Sequence, residues 1–345
     1  SNAYFGLNNL LRAANYNVYS PIWRMSGDSS IIANLTLLKK TLKIQTKLQH
    51  SNFNDLTSPE FYDYLKSYKK ALEIFFKENI RLLIVPQDVS FFENIAIKVC
   101  KDLKIPTICV MHGMPGRYNL IDENRCDYLV VMNKVIKENY INSGFNPEKV
   151  IVGGHPYYKN KKPKKLKFTL ENILVISNTV SGAHPSDGVK FQDRSNLIYY
   201  LYEIELVLKN LGVNKVRLRL HPSENRLWYL KFINNDFYII DNDNLLESLS
   251  NSSLVIGPTS TVFLDALNSG INYTVFEPYK RDENDIYIPL YKPFDGSDKN
   301  VPVAKTRIEL ENILKERKSI KINSYRDYIK SMDLSFVNKV LNAHT

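Results

Sequence analysis

Short apolar runs alternate with longer amphipathic stretches along most of the chain, a pattern that predicts strands and helices in turn. In the first half we predict strands over residues 17–19, 82–85, 107–111, 128–132 and 150–152, and helices near residues 8–15, 61–78, 93–103 and 134–143. The second half starts a new series, with strands over residues 172–177, 215–220, 237–240, 254–256 and 273–276, and a helix over residues 196–211. Strands that alternate with helices form parallel sheets covered by those helices. The predicted fold class is therefore α/β, with one Rossmann-like domain in each half and a cleft between them.

A polar segment separates the two series. Residues 159–167 are rich in lysine and are interrupted by Pro163, so they suit a hinge or linker. Contact of these lysines with an anionic acceptor or lipid is the alternative. We predict an N-terminal domain over residues 4–160 and a C-terminal domain over residues 168–320.

The two ends of the chain carry separate expectations. Apolar side chains recur near helical spacing over residues 325–343, so we predict a closing helix there, within a segment 321–345 that packs back on the N-terminal domain. Ser1, Asn2 and Ala3 have the composition of a tag remnant, and we leave them out of the fold argument. A first strand before residue 8 is expected to have been trimmed.

Composition narrows the class of protein. At 345 residues, with 44% hydrophobic and 24% charged residues, the chain suits two globular domains. No apolar run approaches the roughly 20 residues that a membrane-spanning helix needs. The three cysteines form no C-x-x-C pair, which argues against a disulfide framework or a zinc knuckle and favours the cytoplasm.

The chain is basic, with a formal net charge of +10. This charge suggests an anionic neighbour: nucleic acid, an acidic lipid surface or an anionic glycan. No helix-turn-helix or RNP-like motif accompanies the basic segment, so we expect no nucleic-acid partner. Peripheral contact with the inner face of a membrane is left open.

Four of the six histidines follow predicted strands. They are His112, His155, His184 and His221. Because ligands of open parallel sheets bind beyond the carboxyl ends of the strands, we expect these imidazoles to border one interdomain cleft. Pro222 restricts the backbone of His221, so this side chain is presented rigidly and suits a phosphate group.

A second segment predicts an anion site. The apolar run that ends at Gly257-Pro258 is followed by three hydroxyls, Thr259, Ser260 and Thr261, and then by a helix that ends at Gly270. Unpaired N–H groups at a helix start bind phosphate.

A nearby acidic triplet, at residues 241–243, has the form of a metal-binding D-x-D motif. Asn244 and Glu247 explain it as a helix cap instead, so no metal site is predicted.

Several of these motifs resemble those of a known family. Asp127–Lys134 and Ser143–Pro156 are similar to the end of the N-terminal domain in GT-B proteins of bacterial surface-polysaccharide synthesis. His112-Gly113, His221-Pro222 and Pro258–Thr261 together resemble capsule-type transferases, including sialyltransferases and Kdo transferases that use CMP-activated sugars. The resemblance covers roughly residues 80–280.

The resemblance implies a nucleotide sugar as donor and a glycan or glycolipid as acceptor, with no further cofactor. His221 and Pro222 would contact the nucleotide and its phosphate, and Ser260 and Thr261 would hold that phosphate. Asp265 falls where many GT-B enzymes carry the glutamate that binds ribose. Asn178 and His184 complete the predicted nucleotide site.

The reaction also requires a base that accepts the proton of the acceptor hydroxyl. Asp88 and His112 rank equally for this role, with Glu93 as a third candidate. His221 and the turn at residues 259–261 would stabilise the departing phosphate without a metal. Three alternatives stay open: a UDP-sugar 2-epimerase, a CDP-polyol phosphotransferase of the same fold, and a non-catalytic binder of glycan or nucleic acid.

Overall fold

The computed structural model describes residues 2–19, 59–88, 91–111, 125–158, 165–177, 194–221, 224, 226–278 and 291–344. The chain divides into two compact units. The first consists of Ser1–Met111, Asn119–Val130 and Leu334–Thr345, and the second of His112–Tyr118 and Val131–Asp333. The predicted linker lies for the most part outside the described residues, so the predicted domain bounds stay a prediction.

The first sheet has four strands in the order β1-β2-β3-β4, namely β1 (Leu83–Val85), β2 (Thr107–Val110), β3 (Tyr128–Val131) and β4 (Val150–Val152). Among the described residues, the helices that precede or connect these strands are α1 (Asn2–Ala13), α2 (Pro59–Asn79), α3 (Phe91–Asp102) and α4 (Lys134–Asn142). β2 pairs in parallel with both β1 and β3. All four residues of β2 are buried, as expected for a parallel strand covered on both faces.

Helices α2 and α3 pack together beside this sheet. Leu72 and Phe76, one turn apart on α2, meet Ala96, Val99 and Cys100 of α3 in one buried cluster. Apolar side chains at helical spacing on both helices therefore explain this layer.

The second sheet has six strands in the order β10-β9-β8-β5-β6-β7. These are β5 (Ile173–Ile176), β6 (Val216–Arg219), β7 (Tyr238–Ile240), β8 (Leu254–Gly257), β9 (Tyr273–Phe276) and β10 (Val303–Ala304). In the part of this region that the structure describes, the helices that connect or follow these strands are α5 (Arg194–Asn210), α6 (Arg226–Tyr229), α7 (Leu245–Ser250), α8 (Val262–Asn268) and α9 (Arg307–Lys315). All five strand pairings are parallel, which confirms the predicted α/β class with two parallel sheets.

The C-terminal segment differs from the prediction. Instead of one helix over residues 325–343, the chain forms α10 (Tyr325–Tyr328), an extended stretch and α11 (Ser335–Asn342). The extended stretch bonds to the segment after β4: the N–H of His155 donates to the carbonyl of Lys330, and that of Met332 donates to the carbonyl of His155. These long-range backbone bonds replace the helical ones, so a continuous helix was wrong.

Two further differences concern short elements. The predicted strand over residues 17–19 is irregular; Tyr16 donates a hydrogen bond to Asn338, and the Tyr19 ring packs edge-on against Phe75. Side-chain contacts therefore hold this segment in place of strand pairing. The two-residue strand β10 was not predicted, because Val303 and Ala304 are too short a run to show a periodicity.

Candidate functional site

The order of the second sheet defines a crevice. The chain runs outward from β5 through β6 to β7 and then crosses to β8 on the other side of β5. Ligands of open parallel sheets bind outside the carboxyl ends of the strands at such a reversal. Here the reversal lies between Ser177, directly after β5, and Pro258, directly after β8. His221 lies two residues beyond β6, which pairs with β5 on the other side.

Glu224 ties the strand ends on one side of this crevice together. Its Oε2 accepts hydrogen bonds from the Ser177 hydroxyl and from the backbone N–H of His221, the latter at 2.8 Å. Its Oε1 accepts the Tyr229 hydroxyl at 2.6 Å. The carboxylate thus links the residues after β5 and β6 to helix α6. It also fixes the backbone of the exposed His221.

The loop after β8 is held by a second carboxylate. Glu277, buried at the end of β9, accepts both the N–H and the hydroxyl of Thr259 on Oε1, each at 2.6 Å. The Ser260 hydroxyl accepts the N–H of Val262 at 3.2 Å, while Thr261 makes no side-chain cap. The three hydroxyls therefore differ in role. The N–H and the hydroxyl of Thr259 already donate to the carboxylate of Glu277.

Gly257 allows the close packing at this point. A Cβ there would lie 2.1 Å from the hydroxyl of Tyr273, which itself donates to the carbonyl of Pro258 at 2.6 Å. The absence of a side chain lets the Tyr273 ring reach across the strand and fix the start of the loop. The glycine of the predicted motif thus positions the loop through Tyr273.

The acidic triplet after β7 belongs to a different network. Asp241 pairs with Arg217 and Arg219, at 3.4 and 3.9 Å. Asn244 caps helix α7 by accepting the N–H of Glu247 at 3.0 Å, which confirms the predicted cap. Among the described residues no group of three His, Cys, Asp or Glu side chains is arranged to hold a metal ion.

A buried polar chain connects the segment after β4 with helix α8. The imidazole of His155 stacks on Tyr158 with ring centroids 4.1 Å apart, and the Tyr158 hydroxyl donates to Asp265 at 3.1 Å. Burial lowers the pKa of His155 to about 4 and raises the pKa of Asp265 to about 6, and the Tyr158 hydrogen bond opposes the latter rise. Asp265 therefore titrates near neutral pH, beside the crevice loop.

Asp265→Asn and His155→Gln are expected to change the pH dependence of stability in opposite directions. The Asp265 carboxyl binds its proton more tightly in the folded state, so its contribution is present at low pH and is lost as pH rises from 3.8 to about 6. His155 contributes above 6.5, and that contribution is lost as pH falls towards about 4.

Relative to the parent, Asp265→Asn should therefore gain stability as pH rises through this window, and His155→Gln should lose it, each by about 1–3 kcal/mol. Urea unfolding at several pH values in the window measures both. Parallel curves for parent and variants would contradict the assignment, and the double variant is the control in which the two changes offset.

Asp88, a predicted base, is buried in the first unit. Its Oδ2 accepts the backbone N–H groups of Arg125 and Cys126, at 2.7 and 3.1 Å. The guanidinium of Arg125 donates in turn to the Asp88 carbonyl at 2.9 Å. These bonds give Asp88 a role in anchoring the start of β3, and its catalytic role stays a prediction.

Several predicted site residues lie outside the described residues: His112, Asn178, His184 and Pro222. The structure places His221 after β6 and Thr259 after β8, the two strands that flank β5, and Asp265 on the helix that follows β8. Sequence reasoning missed Glu224, Glu277 and Tyr158. For Glu224 and Glu277 a signal existed, since each is an acidic residue just beyond the end of a predicted strand.

Several proteins of known structure are similar to this chain in architecture. A candidate UDP-N-acetylglucosamine 2-epimerase from Listeria monocytogenes has a TM-score of 0.50 at 12% identity, over 82% of this chain and 80% of that one. MnaA of S. aureus in complex with UDP has a TM-score of 0.50 at 11% identity, over 81% of this chain and 79% of that one. The wall teichoic acid polymerase TagF has a TM-score of 0.45 at 16% identity, over 83% of this chain and 75% of that one. No family model matches the sequence, and no curated protein matches it.

The first two likenesses, each with a TM-score of 0.50, show the fold. The chain has a GT-B-like α/β fold with two Rossmann-like parallel sheets, and the order of the second sheet reverses at a topological switch point between β5 and β8. No helix in the described part of the chain is long and apolar enough to cross a membrane.

Proposed function

We propose that the protein is a glycosyltransferase that binds a nucleotide-activated sugar, with CMP-sugars favoured, at the carboxyl-end crevice of its second sheet. The observation that carries the proposal is that an exposed histidine after β6 and the hydroxyl turn after β8 lie at the carboxyl ends of the two strands that flank β5. The crevice location is where α/β sheets of this kind bind nucleotides. The acceptor would be a surface glycan or glycolipid.

The chemistry assigned to this crevice is stabilisation of a departing phosphate. Cleavage of the sugar–phosphate bond places negative charge on the nucleotide, and donors fixed in advance lower that barrier. His221 is fixed by its backbone bond to Glu224, so its imidazole suits this role. Ser260 and Thr261 lie at the start of the next helix and would add hydroxyl donors. Asp265 and Asn178, with His184, would bind the nucleoside.

The base is assigned to the N-terminal half, with His112 ahead of Asp88. Asp88 is buried, and two backbone N–H groups engage the same carboxylate oxygen, so accepting a proton there would weaken both bonds. His112 follows β2 in the sequence, and histidine is the side chain most often used for proton transfer. The transfer would then proceed without a metal.

A nucleotide panel tests the proposal. The purified protein should gain thermal stability with a cytidine nucleotide; at a ligand concentration 100 times Kd the expected stabilisation is about 2.7 kcal/mol. CMP, CDP, UDP and AMP at equal concentration give the ranking, and a DNA duplex at two salt concentrations is the control for unspecific charge. Equal shifts with all nucleotides, or a shift with DNA alone, would contradict a nucleotide crevice.

Product analysis separates the enzymatic alternatives. The fold likeness to the candidate UDP-N-acetylglucosamine 2-epimerase from Listeria monocytogenes favours a UDP-sugar 2-epimerase as second candidate. NMR of UDP-N-acetylglucosamine incubated with the protein would show the C2 epimer in that case, whereas a transferase releases free nucleotide only with an acceptor. Incorporation of a polyol phosphate from a CDP-linked donor identifies the third alternative. Nucleotide binding without any product would leave a non-catalytic binder.

A further inference from the structure

A cavity of about 220 Å³ lies on the second unit between helix α5 and the turn that precedes β7. Its lining includes Tyr199, Leu201, Tyr202, Glu205, Phe232 and Asn234. The turn leads into the amino end of β7, and the second half of α5 leads towards the amino end of β6. The cavity therefore lies beside the amino end of β7, whereas the candidate crevice lies at the carboxyl ends of the strands, and the proposed transferase chemistry does not use it.

Three aromatic rings stand at the rim of this cavity. Tyr199, Tyr202 and Phe232 are 48%, 54% and 55% exposed. Tyr199 and Tyr202 are three residues apart on α5 and so project from one face of the helix. Large aromatic side chains exposed together mark a binding surface more often than ones scattered singly.

The floor of the cavity is polar and rigid. The Glu205 side chain is only 13% exposed, and its Oε1 accepts from Asn234 Nδ2 at 2.5 Å and from Lys209 Nζ at 2.6 Å. Tyr238 below it donates to the carbonyl of Leu201 at 2.5 Å. In the part of the chain that the structure describes, the second oxygen of Glu205, Oε2, accepts no hydrogen bond.

The exposed rings and Oε2 of Glu205 together indicate which kind of molecule fits the cavity. An apolar protein face or a lipid bilayer would cover Oε2 without supplying a donor, and burial of an unsatisfied carboxylate oxygen is costly. A sugar ring supplies hydroxyl donors on its edge and an apolar C–H face for an aromatic ring. The volume is below the roughly 300–1,000 Å³ of pockets for drug-sized ligands, so it suits a single ring.

We propose that this cavity binds one sugar residue of a saccharide chain, with the three rings as the apolar platform and Glu205 as hydrogen-bond acceptor. The site is separate from the nucleotide crevice, and the proposal does not rest on the proposed function. A saccharide held here would be anchored away from the crevice. The cavity would bind a neutral sugar. Lys209 already pairs with Glu205, and the Glu205 carboxylate would repel an anionic sugar.

Saturation-transfer NMR with maltotetraose, cellotetraose and chitotetraose tests this inference. At least one tetrasaccharide should receive saturation at its ring C–H protons. Tyr202→Ala and Phe232→Ala should each weaken its binding about tenfold, which corresponds to about 1.4 kcal/mol, because each removes an aromatic ring from the platform. Phe232→Tyr keeps the ring and should restore binding. Leu246→Ala, which removes an exposed apolar side chain on α7 outside the lining, is the matched control and should bind like the parent.

Other outcomes overturn the proposal. No saturation with any of the three tetrasaccharides would do so, as would binding that the ring variants leave unchanged. Sedimentation would reveal a self-association surface if Tyr202→Ala turned a dimer into a monomer, and loss of binding to phosphatidylglycerol vesicles in the same variant would reveal a lipid surface. Nucleotide-induced stabilisation should stay at the parent level in Tyr202→Ala, which separates this test from that of the transferase.

Discussion

Replacing Gly154 with alanine is expected to destabilise the second unit by about 3–5 kcal/mol. The backbone at Gly154 has a φ of +83°, a region that costs any residue with a Cβ. The added Cβ would also lie 2.2 Å from the carbonyl oxygen of Ser331 and 2.6 Å from its carbonyl carbon. Because these are backbone atoms, no side-chain rotation relieves the overlap.

The clash falls where two distant segments join. The N–H of His155 donates to the carbonyl of Lys330, and the N–H of Asp333 donates to the carbonyl of Gly153. Displacing the segment at residues 330–333 would break these bonds and disturb the packing of His155 on Tyr158. The effect on stability should therefore exceed that of backbone strain alone.

Gly212→Ala is the matched control. Its φ of +78° is nearly the same, yet a Cβ there meets nothing within 4 Å. Strain alone should cost about 1–2 kcal/mol. Urea unfolding followed by tyrosine and tryptophan fluorescence measures both variants. Equal losses in the two would show that the contact with Ser331 carries no weight.

His221→Ala is expected to reduce turnover of the nucleotide donor about 10²–10³-fold, through loss of one fixed donor to the departing phosphate. Its melting temperature should stay near that of the parent. The imidazole is exposed, and the bonds that hold this residue to Ser177 and Glu224 are made by its backbone N–H, which alanine keeps. Function and folding thus separate at this position.

Two measurements on one variant make the test decisive. Nucleotide-induced stabilisation and release of free nucleotide should both fall sharply in His221→Ala. His344→Ala, which removes another exposed imidazole near the end of the chain, is the control and should match the parent. If His221→Ala unfolds, and the remaining folded protein turns over normally, His221 ends the strand structurally and the phosphate is bound elsewhere.

The candidate site divides into residues that sequence patterns identify and residues that they miss. His221 was identified because it directly follows a predicted strand, and Thr259 because three consecutive hydroxyls open a predicted helix. Glu224 and Glu277 were missed, because their partners Ser177 and Thr259 lie 47 and 18 residues away along the chain. Their position after a predicted strand marks both carboxylates as candidates, but the local sequence does not contain the partners that they bind.

The sequence alone determined the α/β class and the bounds of most strands and helices, because burial on both faces and helical spacing are local properties that the chain itself records. Only the tertiary structure decided the strand order of the second sheet, and with it the position of the crevice between β5 and β8. It also decided the conformation of residues 329–334: their apolar spacing favours a helix, but backbone bonds to residues 153–155 stabilise an extended strand-like path. Such bonds depend on which distant segment lies alongside, and no local periodicity contains that information.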